Sequence, residues 1–227
     1  TVIRGISSMA TRQVLADLAI AWQAAGGQPV TIESVGGVDA AQRVQAGEAL
    51  DVVLLASDAI DKLIASGHAM AQSKVDWVRS STAVAVPAGA SLPDIGSEAA
   101  LQTAVLAAPS IGYSTGPSGT ALLALFQRWG IAEPLQPPPV QPRPGVPVGQ
   151  LVAQGEAALG FQQLSELLHV PGTTVLGTLP PAVAIDTVFS AAVVTGSTAQ
   201  SAARDFLAFL ASEQAAPAKL RQGMQPL

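Results

Sequence analysis

Apolar residues alternate along this chain between two rhythms. Short uninterrupted runs are followed by longer stretches whose apolar positions fall at i, i+3 and i+4. The runs at 1–6, 30–35 and 51–55 predict strands. Between them, Val14, Leu15, Leu18, Ala21 and Trp22 share one helical face; residues 40–46 predict a second helix, and Ile60, Leu63 and Ile64 mark a third. Gly26-Gly27 and Gly36-Gly37 supply the breaks. A β-α-β-α-β-α order with continuous apolar strands is the pattern of a parallel sheet covered on both faces.

The alternation resumes further on. Residues 82–86 predict a strand, 97–107 a helix and 110–113 a strand. A helix over 118–129 carries Leu122, Leu125, Phe126 and Trp129 on one face. The proline-rich stretch 134–147 cannot be helical and reads as an extended connection. A short helix at 148–153, a strand at 157–161 and a helical turn at 164–168 follow. Residues 183–195 are strand-like, and two helices end the chain, one with Ala203, Phe206, Leu207 and Leu210 on a stripe. Two α/β sheets in 227 residues imply two lobes.

Composition narrows the functional classes. Hydrophobic residues make up 49% and charged residues 12%, enough to bury a substantial core. Net charge is −5, and the 11 Lys and Arg are scattered singly without a basic patch, so nucleic acid is not an expected partner. There is no cysteine, which excludes disulfides, thiolate metal sites and a Cys nucleophile. No apolar run reaches the roughly 18 residues that span a bilayer. The chain begins at Thr1 without an initiator Met, as a removed signal peptide or a trimmed chain would leave it.

Candidate chemistry gathers where the strands end. Ligands of open α/β sheets bind outside the carboxyl ends of the strands. The residues there are Ser7-Ser8, Ser34, Ser57-Asp58, Ser114-Thr115 with Ser118-Gly119-Thr120, and Gln162-Gln163. Most stand just before a helix, whose first N–H groups are unpaired and carry partial positive charge. Hydroxyls and bare amides at such places hold small anions without Lys or Arg. Capping alone accounts for any single one of these residues; it is their recurrence that points to a ligand. The loop Gly116-Pro117-Ser118-Gly119 lacks the Lys-Ser/Thr ending of a nucleotide-binding P-loop. Tyr113, the single tyrosine, ends a strand in the same region.

These residues, in this order, resemble the type II periplasmic solute-binding proteins, in the branch around the molybdate-binding proteins. The resemblance rests on Ile6-Ser7-Ser8, on the segments 51–58 (DVVLLASD) and 63–67 (LIASG), on the strand 83–86, on 155–160 (GEAALG) and on 203–210 (ARDFLAFL). It implies an α/β fold of two lobes, each a mixed, mostly parallel sheet flanked by helices, joined by two hinge strands. It implies one lobe at 1–82 plus 189–227, a second at 83–188 and a ligand cleft between them. First-lobe oxyanion contacts carry over to Ser8, or Ser7, and to Ser57.

The chain also departs from that branch. Molybdate binders carry Tyr after the strand matching 159–161, where this chain has Gln162-Gln163. Residues 113–120 differ from the Val-Pro-Ala-Gly form, and Arg143 adds a cation that molybdate does not need. These departures resemble a side branch that handles small organic acids and includes citrate-binding antigens and a periplasmic aconitate isomerase. A guanidinium pairs bidentately with a carboxylate. The expectation is therefore a binder of a small oxyanion or a citrate- or aconitate-like polycarboxylate, in the periplasm, with molybdate transport as an alternative. The expected ligand-binding set is Ser7, Ser8, Ser34, Ser57, Tyr113, Ser114, Ser118, Gly119, Thr120, Arg143 and Gln162. A monomer is expected, with a membrane transporter as candidate partner and no cofactor or metal. The other alternative is isomerisation on the same scaffold; it needs a base, for which Glu33, Asp58, His68 and Glu166 are candidates. Arg79 and Lys74 read as surface charges.

Overall fold

The computed structural model of the chain describes residues 1–133, 135, 137–143 and 145–227. Pro134, Gln136 and Pro144 lie outside the described residues, and with them part of the extended connection expected at 134–147. The chain divides into two compact units, Thr1–Arg79 with Val188–Leu227, and Ser80–Thr187.

In the first unit, β1 (Ile3–Ser8), α1 (Arg12–Ala24), β2 (Val30–Val35), α2 (Gly37–Gln45), β3 (Val52–Ala56) and α3 (Ser57–Ala65) follow one another. β1 pairs in parallel with both β2 and β3. The long β4 (Val75–Pro87) begins in this unit and ends in the other. After α3, half-buried Lys74 pairs with Asp61 at 2.8 Å and with Asp76 at 3.8 Å.

The second unit adds α4 (Glu98–Ala107), β5 (Ile111–Tyr113), α5 (Pro117–Arg128), α6 (Val148–Ala153), β6 (Leu159–Gln163), α7 (Leu164–Leu167) and β7 (Thr173–Thr178). Strand β8 (Asp186–Val193) returns to the first unit, where it pairs antiparallel with β3. Helices α8 (Gln200–Leu210) and α9 (Ala216–Arg221) and the short β9 (Gln225–Pro226), paired with the start of β4, complete the chain. In the second unit the sheet is mixed: β5–β6 is parallel, while β4 pairs antiparallel with both β6 and β7.

Strand periodicity decides what each apolar run does. All five residues of β3 are buried. Val52, Leu54 and Ala56 point into a core with Val14, Leu15 and Leu18 of α1, Phe206 and Leu210 of α8, and Trp77. Val53 and Leu55 point the other way, onto Ala40 and Val44 of α2 and Ile60 and Leu63 of α3. A continuous apolar run is therefore an alternating strand with two dry faces. In the second unit, Val84, Leu159 and Phe161 meet Leu101 of α4 and Leu122 and Phe126 of α5. The opposite face holds Ala83 and Ala85 against Leu167, and Val148 and Val152 of α6 against Ala157. Gly112 and Gly160 make room for α6: a Cβ on Gly160 would stand 2.3 Å from Val152.

Asp51 ties the first unit together just before β3. Its carboxylate accepts from the Arg4 backbone N–H at 2.8 Å and from the Ser197 hydroxyl at 2.7 Å, joining β1 to the segment before α8. Asp51→Ala leaves both donors without their acceptor and is expected to cost about 2–4 kcal/mol. Urea unfolding should show a lower midpoint, with a smaller loss for Asp51→Asn, which keeps one acceptor.

Candidate functional site

The first unit brings its predicted serines to one edge of the sheet. Strand order β2-β1-β3 places the carboxyl ends of three parallel strands side by side. Ser7 lies opposite Ser34 in register, and their hydroxyls stand 2.7 Å apart. Ser7 is fully buried, and its hydroxyl also donates to the Ser8 carbonyl at 2.9 Å. Ser8 Oγ is buried and has no hydrogen-bond partner among the described residues. Such a hydroxyl is costly unless something occupies the space before it.

Ser57 differs from the expected cap. It is the first residue of α3, and Ala56 is the capping position. Its hydroxyl accepts from Lys74 Nζ at 2.8 Å, the same ammonium that pairs with Asp61. Lys74, read from sequence as a surface charge, thus brings a cation to the strand-end serines. Nothing local in the sequence announces this contact, which joins residues 17 apart. Asp58 is exposed and binds the next backbone N–H, of Ala59, at 2.9 Å.

The second unit builds its own hydroxyl pair. Ser114 and Ser118 are both buried, with Oγ atoms 2.7 Å apart. The loop closes tightly because Gly119 lacks a side chain: a Cβ there would stand 1.8 Å from the Ser114 carbonyl oxygen. Gly116 occupies the capping position of α5 and Pro117 opens the helix, where a missing N–H costs nothing. The proline-rich connection reaches this loop. Val140 exchanges backbone hydrogen bonds with Ile111 and Tyr113, and Gln141 Nε2 donates to the Ser114 carbonyl at 3.2 Å. Tyr113 is half-buried against the core under α5, while Thr115 and Thr120 are exposed. Arg143 is exposed; among the described residues the ion pairs involve Arg43 and Lys74, and Arg143 is in none of them.

Gln162 and Gln163 both lie inside β6 rather than after it, so they face opposite sides of the sheet. Gln162 Oε1 accepts from the Val148 N–H of α6 at 3.0 Å. That bond fixes the amide, since only its oxygen can accept. Gln163 lies opposite Thr82 in register and donates from Nε2 to Thr187 Oγ1 at 3.1 Å. Its Oε1, the Thr82 hydroxyl and the Ser80 hydroxyl are buried and have no partner among the described residues. Choosing Gln162 alone therefore missed this second polar group, which alternation along a strand from Leu159 to Gln163 would have separated from it.

The four candidate bases have different surroundings. Glu33 is paired with Arg43 at 2.8 Å, and that hydrogen bond holds its carboxyl below the usual range. His68 Nδ1 shares a hydrogen bond with Ser66 Oγ at 2.7 Å. Asp58 is occupied at the start of α3. Glu166, in α7, is different: burial pushes its carboxyl up to about 7, against a smaller opposing effect of a hydrogen bond from Gln162.

Two consequences can be measured. Gly119→Ala forces the α5 helix away from the Ser114 carbonyl and is expected to lower stability by at least about 1–3 kcal/mol in thermal melts. For Glu166, folding favours the protonated form. Its contribution is complete below about pH 4.5 and is lost as pH rises through about 7. The stability of wild type relative to Glu166→Gln should therefore fall by about 2–3 kcal/mol between about pH 4.5 and 8.5, measured by urea unfolding at both values.

Comparison with known proteins follows the same lines. The chain is 41% identical over 186 residues to an aconitate isomerase of a Pseudomonas species, covering 82% of this chain and 71% of that protein. Its fold superposes on the periplasmic molybdate-binding protein of Azotobacter vinelandii with a TM-score of 0.80 at 20% identity, over 98% of each chain. The sulfate-binding protein SubI of Mycobacterium tuberculosis gives 0.79 at 18% identity, over 100% of this chain and 87% of that one. At such identities these structures establish the fold, which is the expected α/β architecture of the type II periplasmic binding proteins. Residues 3–225 match the bacterial extracellular solute-binding proteins, and the chain belongs to that family.

Proposed function

We propose that the chain binds a small organic polycarboxylate outside the cytoplasm, through strand-end hydroxyls. The observation that carries this reading is the hydroxyl pair of each unit near its strand ends: Ser7–Ser34, of which Ser7 is buried and Ser34 half-buried, and the buried Ser114–Ser118. Each pair has its hydroxyls within hydrogen-bond distance and, among the described residues, no carboxylate as hydrogen-bond partner. An anion would receive their protons together with those of neighbouring backbone amides. Lys74 beside Ser57 adds positive charge in the first unit. Arg143, exposed and outside every described ion pair, is the group for a carboxylate that the serines do not reach. Delivery to a membrane transporter from the periplasm is part of this proposal, as is a monomeric state.

A second reading, isomerisation of aconitate, has two supports. The 41% identical relative is named for that activity, and Glu166 has a carboxyl whose protonation changes near pH 7. The shift needs no redox partner. A proton leaves the methylene carbon, the double bond moves by one position, and a proton returns to the former vinyl carbon.

Calorimetry with molybdate, sulfate, citrate and both aconitate isomers tests the binding reading; tight binding of molybdate with no response to any tricarboxylate would overturn it. Ser118→Ala is expected to weaken tricarboxylate binding by about 1–2 kcal/mol. Arg143→Ala should cost the tricarboxylate about 1.5–3 kcal/mol and leave molybdate binding unchanged. Equal tricarboxylate affinity in that mutant and wild type would place Arg143 outside the site.

A further inference from the structure

Lys74 holds one hydroxyl at the strand-end edge of the first unit in a set orientation. An ammonium has only donors, while a serine hydroxyl has one proton and two acceptor lone pairs. In the 2.8 Å contact between them, Lys74 Nζ therefore donates and Ser57 Oγ accepts. The Ser57 proton is left for another acceptor, and among the described residues no carbonyl or carboxylate takes it. The other serines of this edge are differently placed. Ser7 donates to the Ser8 carbonyl at 2.9 Å, so in its 2.7 Å contact with Ser34 the Ser34 hydroxyl is the donor. An anion at that pair has to turn one of those protons toward itself; at Ser57 it finds one uncommitted. Ser57 follows β3 directly, and Ser8 Oγ, buried and without a partner among the described residues, ends the adjacent strand β1.

The contact is built from both sides. Ser73, just before Lys74, accepts from the Val193 N–H at 2.8 Å and donates to the Met70 carbonyl at 2.6 Å. The Met70 N–H donates to the Val193 carbonyl at 2.9 Å. The chain leading to Lys74 is thereby fastened to β8. The ammonium then pairs with Asp61 of α3 at 2.8 Å and lies 3.8 Å from Asp76 of β4. Asp76 is held in turn by fully buried Ser190 of β8, whose hydroxyl donates to it at 2.5 Å. Two carboxylates thus meet the charge of Lys74, so it is not a free counter-ion. What Lys74 offers a ligand passes through the Ser57 oxygen: a bond donated into that oxygen polarises the hydroxyl and strengthens it as a donor.

Resting on the polycarboxylate-binding reading above, we propose that Lys74 is a positioning residue of the first unit's anion site, which fixes Ser57 as a donor and so selects an ionised carboxylate at that point. An ionised carboxylate oxygen only accepts, and its charge-assisted bond from a hydroxyl is about twice as strong as a neutral one. An amide or ester in the same place forms only the weaker bond. Lys74 stays on Ser57 and its aspartates and does not touch the ligand. Its effect on binding is therefore conditional on the Ser57 hydroxyl, which separates it from a cation that pairs with the ligand directly.

The test is a double-mutant cycle read by calorimetry with citrate and both aconitate isomers, on wild type, Ser57→Ala, Lys74→Met and the double variant. Wild type should bind at least one of the three; binding of none overturns the polycarboxylate reading and the assignment with it. For the tricarboxylate bound most tightly, Ser57→Ala and Lys74→Met should each lose about tenfold in affinity. The double variant should lie within about twofold of Ser57→Ala, because Lys74 then has no hydroxyl to act through. Losses that multiply to about 100-fold in the double variant overturn the assignment, as a structural role or a direct contact would give them. Wild-type affinity in Lys74→Met, or in Ser57→Ala, also overturns it, and polycarboxylate binding stands. If Lys74→Met does not fold, a crystal structure of wild type with the same tricarboxylate decides. Ser57 Oγ within about 3 Å of a carboxylate oxygen, with Lys74 Nζ on Ser57, supports the assignment; Lys74 Nζ on the ligand, or Ser57 turned away from it, overturns it.

Discussion

Burial of the strands on both faces is the constraint from which the rest follows. A strand such as β3, with apolar helices above and below, admits no polar side chain along its length. Polar groups are displaced to the strand ends, and in a parallel set all carboxyl ends lie on one edge. Ser7, Ser34 and Ser57 stand there because it is the first place where a hydroxyl costs little. A site of this kind is made of neutral donors, and its selectivity comes from shape and from the number of protons offered. In the first unit charge enters through Lys74 beside Ser57; for the second, the proposed function assigns that part to exposed Arg143.

The second unit reaches a similar end by tighter means. Its β5 has three residues, too few to define a sheet edge alone. The glycines make up the difference. Gly112 and Gly160 let α6 lie close on the sheet, and Gly119 lets α5 begin directly against the Ser114 carbonyl. Val140 then borders β5, so the proline-rich connection, which cannot form a helix, still supplies backbone pairing. The Ser114–Ser118 pair is a product of this crowding: two hydroxyls four residues apart meet because the loop between them is pressed shut.

Most of the fold was legible because hydrophobic periodicity is local. The strands β1, β2, β3, β5 and β8 and the helices from α1 to α8 coincide with their apolar patterns to within a few residues. What escaped lacks that signal. The first half of β4 reads VDWVRSS, whose polar residues interrupt the run, and β7 reads TTVLGT with a glycine inside it. Site legibility divides the same way. The serines were visible as strand ends, and the structure brings Ser7 to Ser34 and Ser114 to Ser118. Lys74 was invisible as a partner of Ser57 because the contact depends on tertiary folding. Gln163, Thr82 and Ser80 were hidden by placing the end of β6 two residues early. Glu166 appeared only as one acidic residue among several, since what distinguishes it is burial, and the elements that bury it come from different parts of the chain.

Burial without a counter-ion does not by itself indicate chemistry, and Lys219 shows why access must be added. It belongs to the first unit, on α9, is fully buried, and its Nζ has no hydrogen-bond partner among the described residues. Burial lowers its amine to about 8, and the ammonium lies 5.8 Å from the ring centroid of Trp77, itself fully buried. Lys219 and Glu166 are displaced toward neutrality for the same reason, the cost of a charge in an apolar medium. They differ in what can reach them. Lys219 has a ring beside it and no exposed surface, so its amine serves the packing of the C-terminal helix. Glu166 is partly exposed. An ionisable group becomes a candidate for proton transfer only when its charge is left unfixed and a substrate can reach it, so displacement toward neutrality by burial assigns no chemistry to either residue by itself.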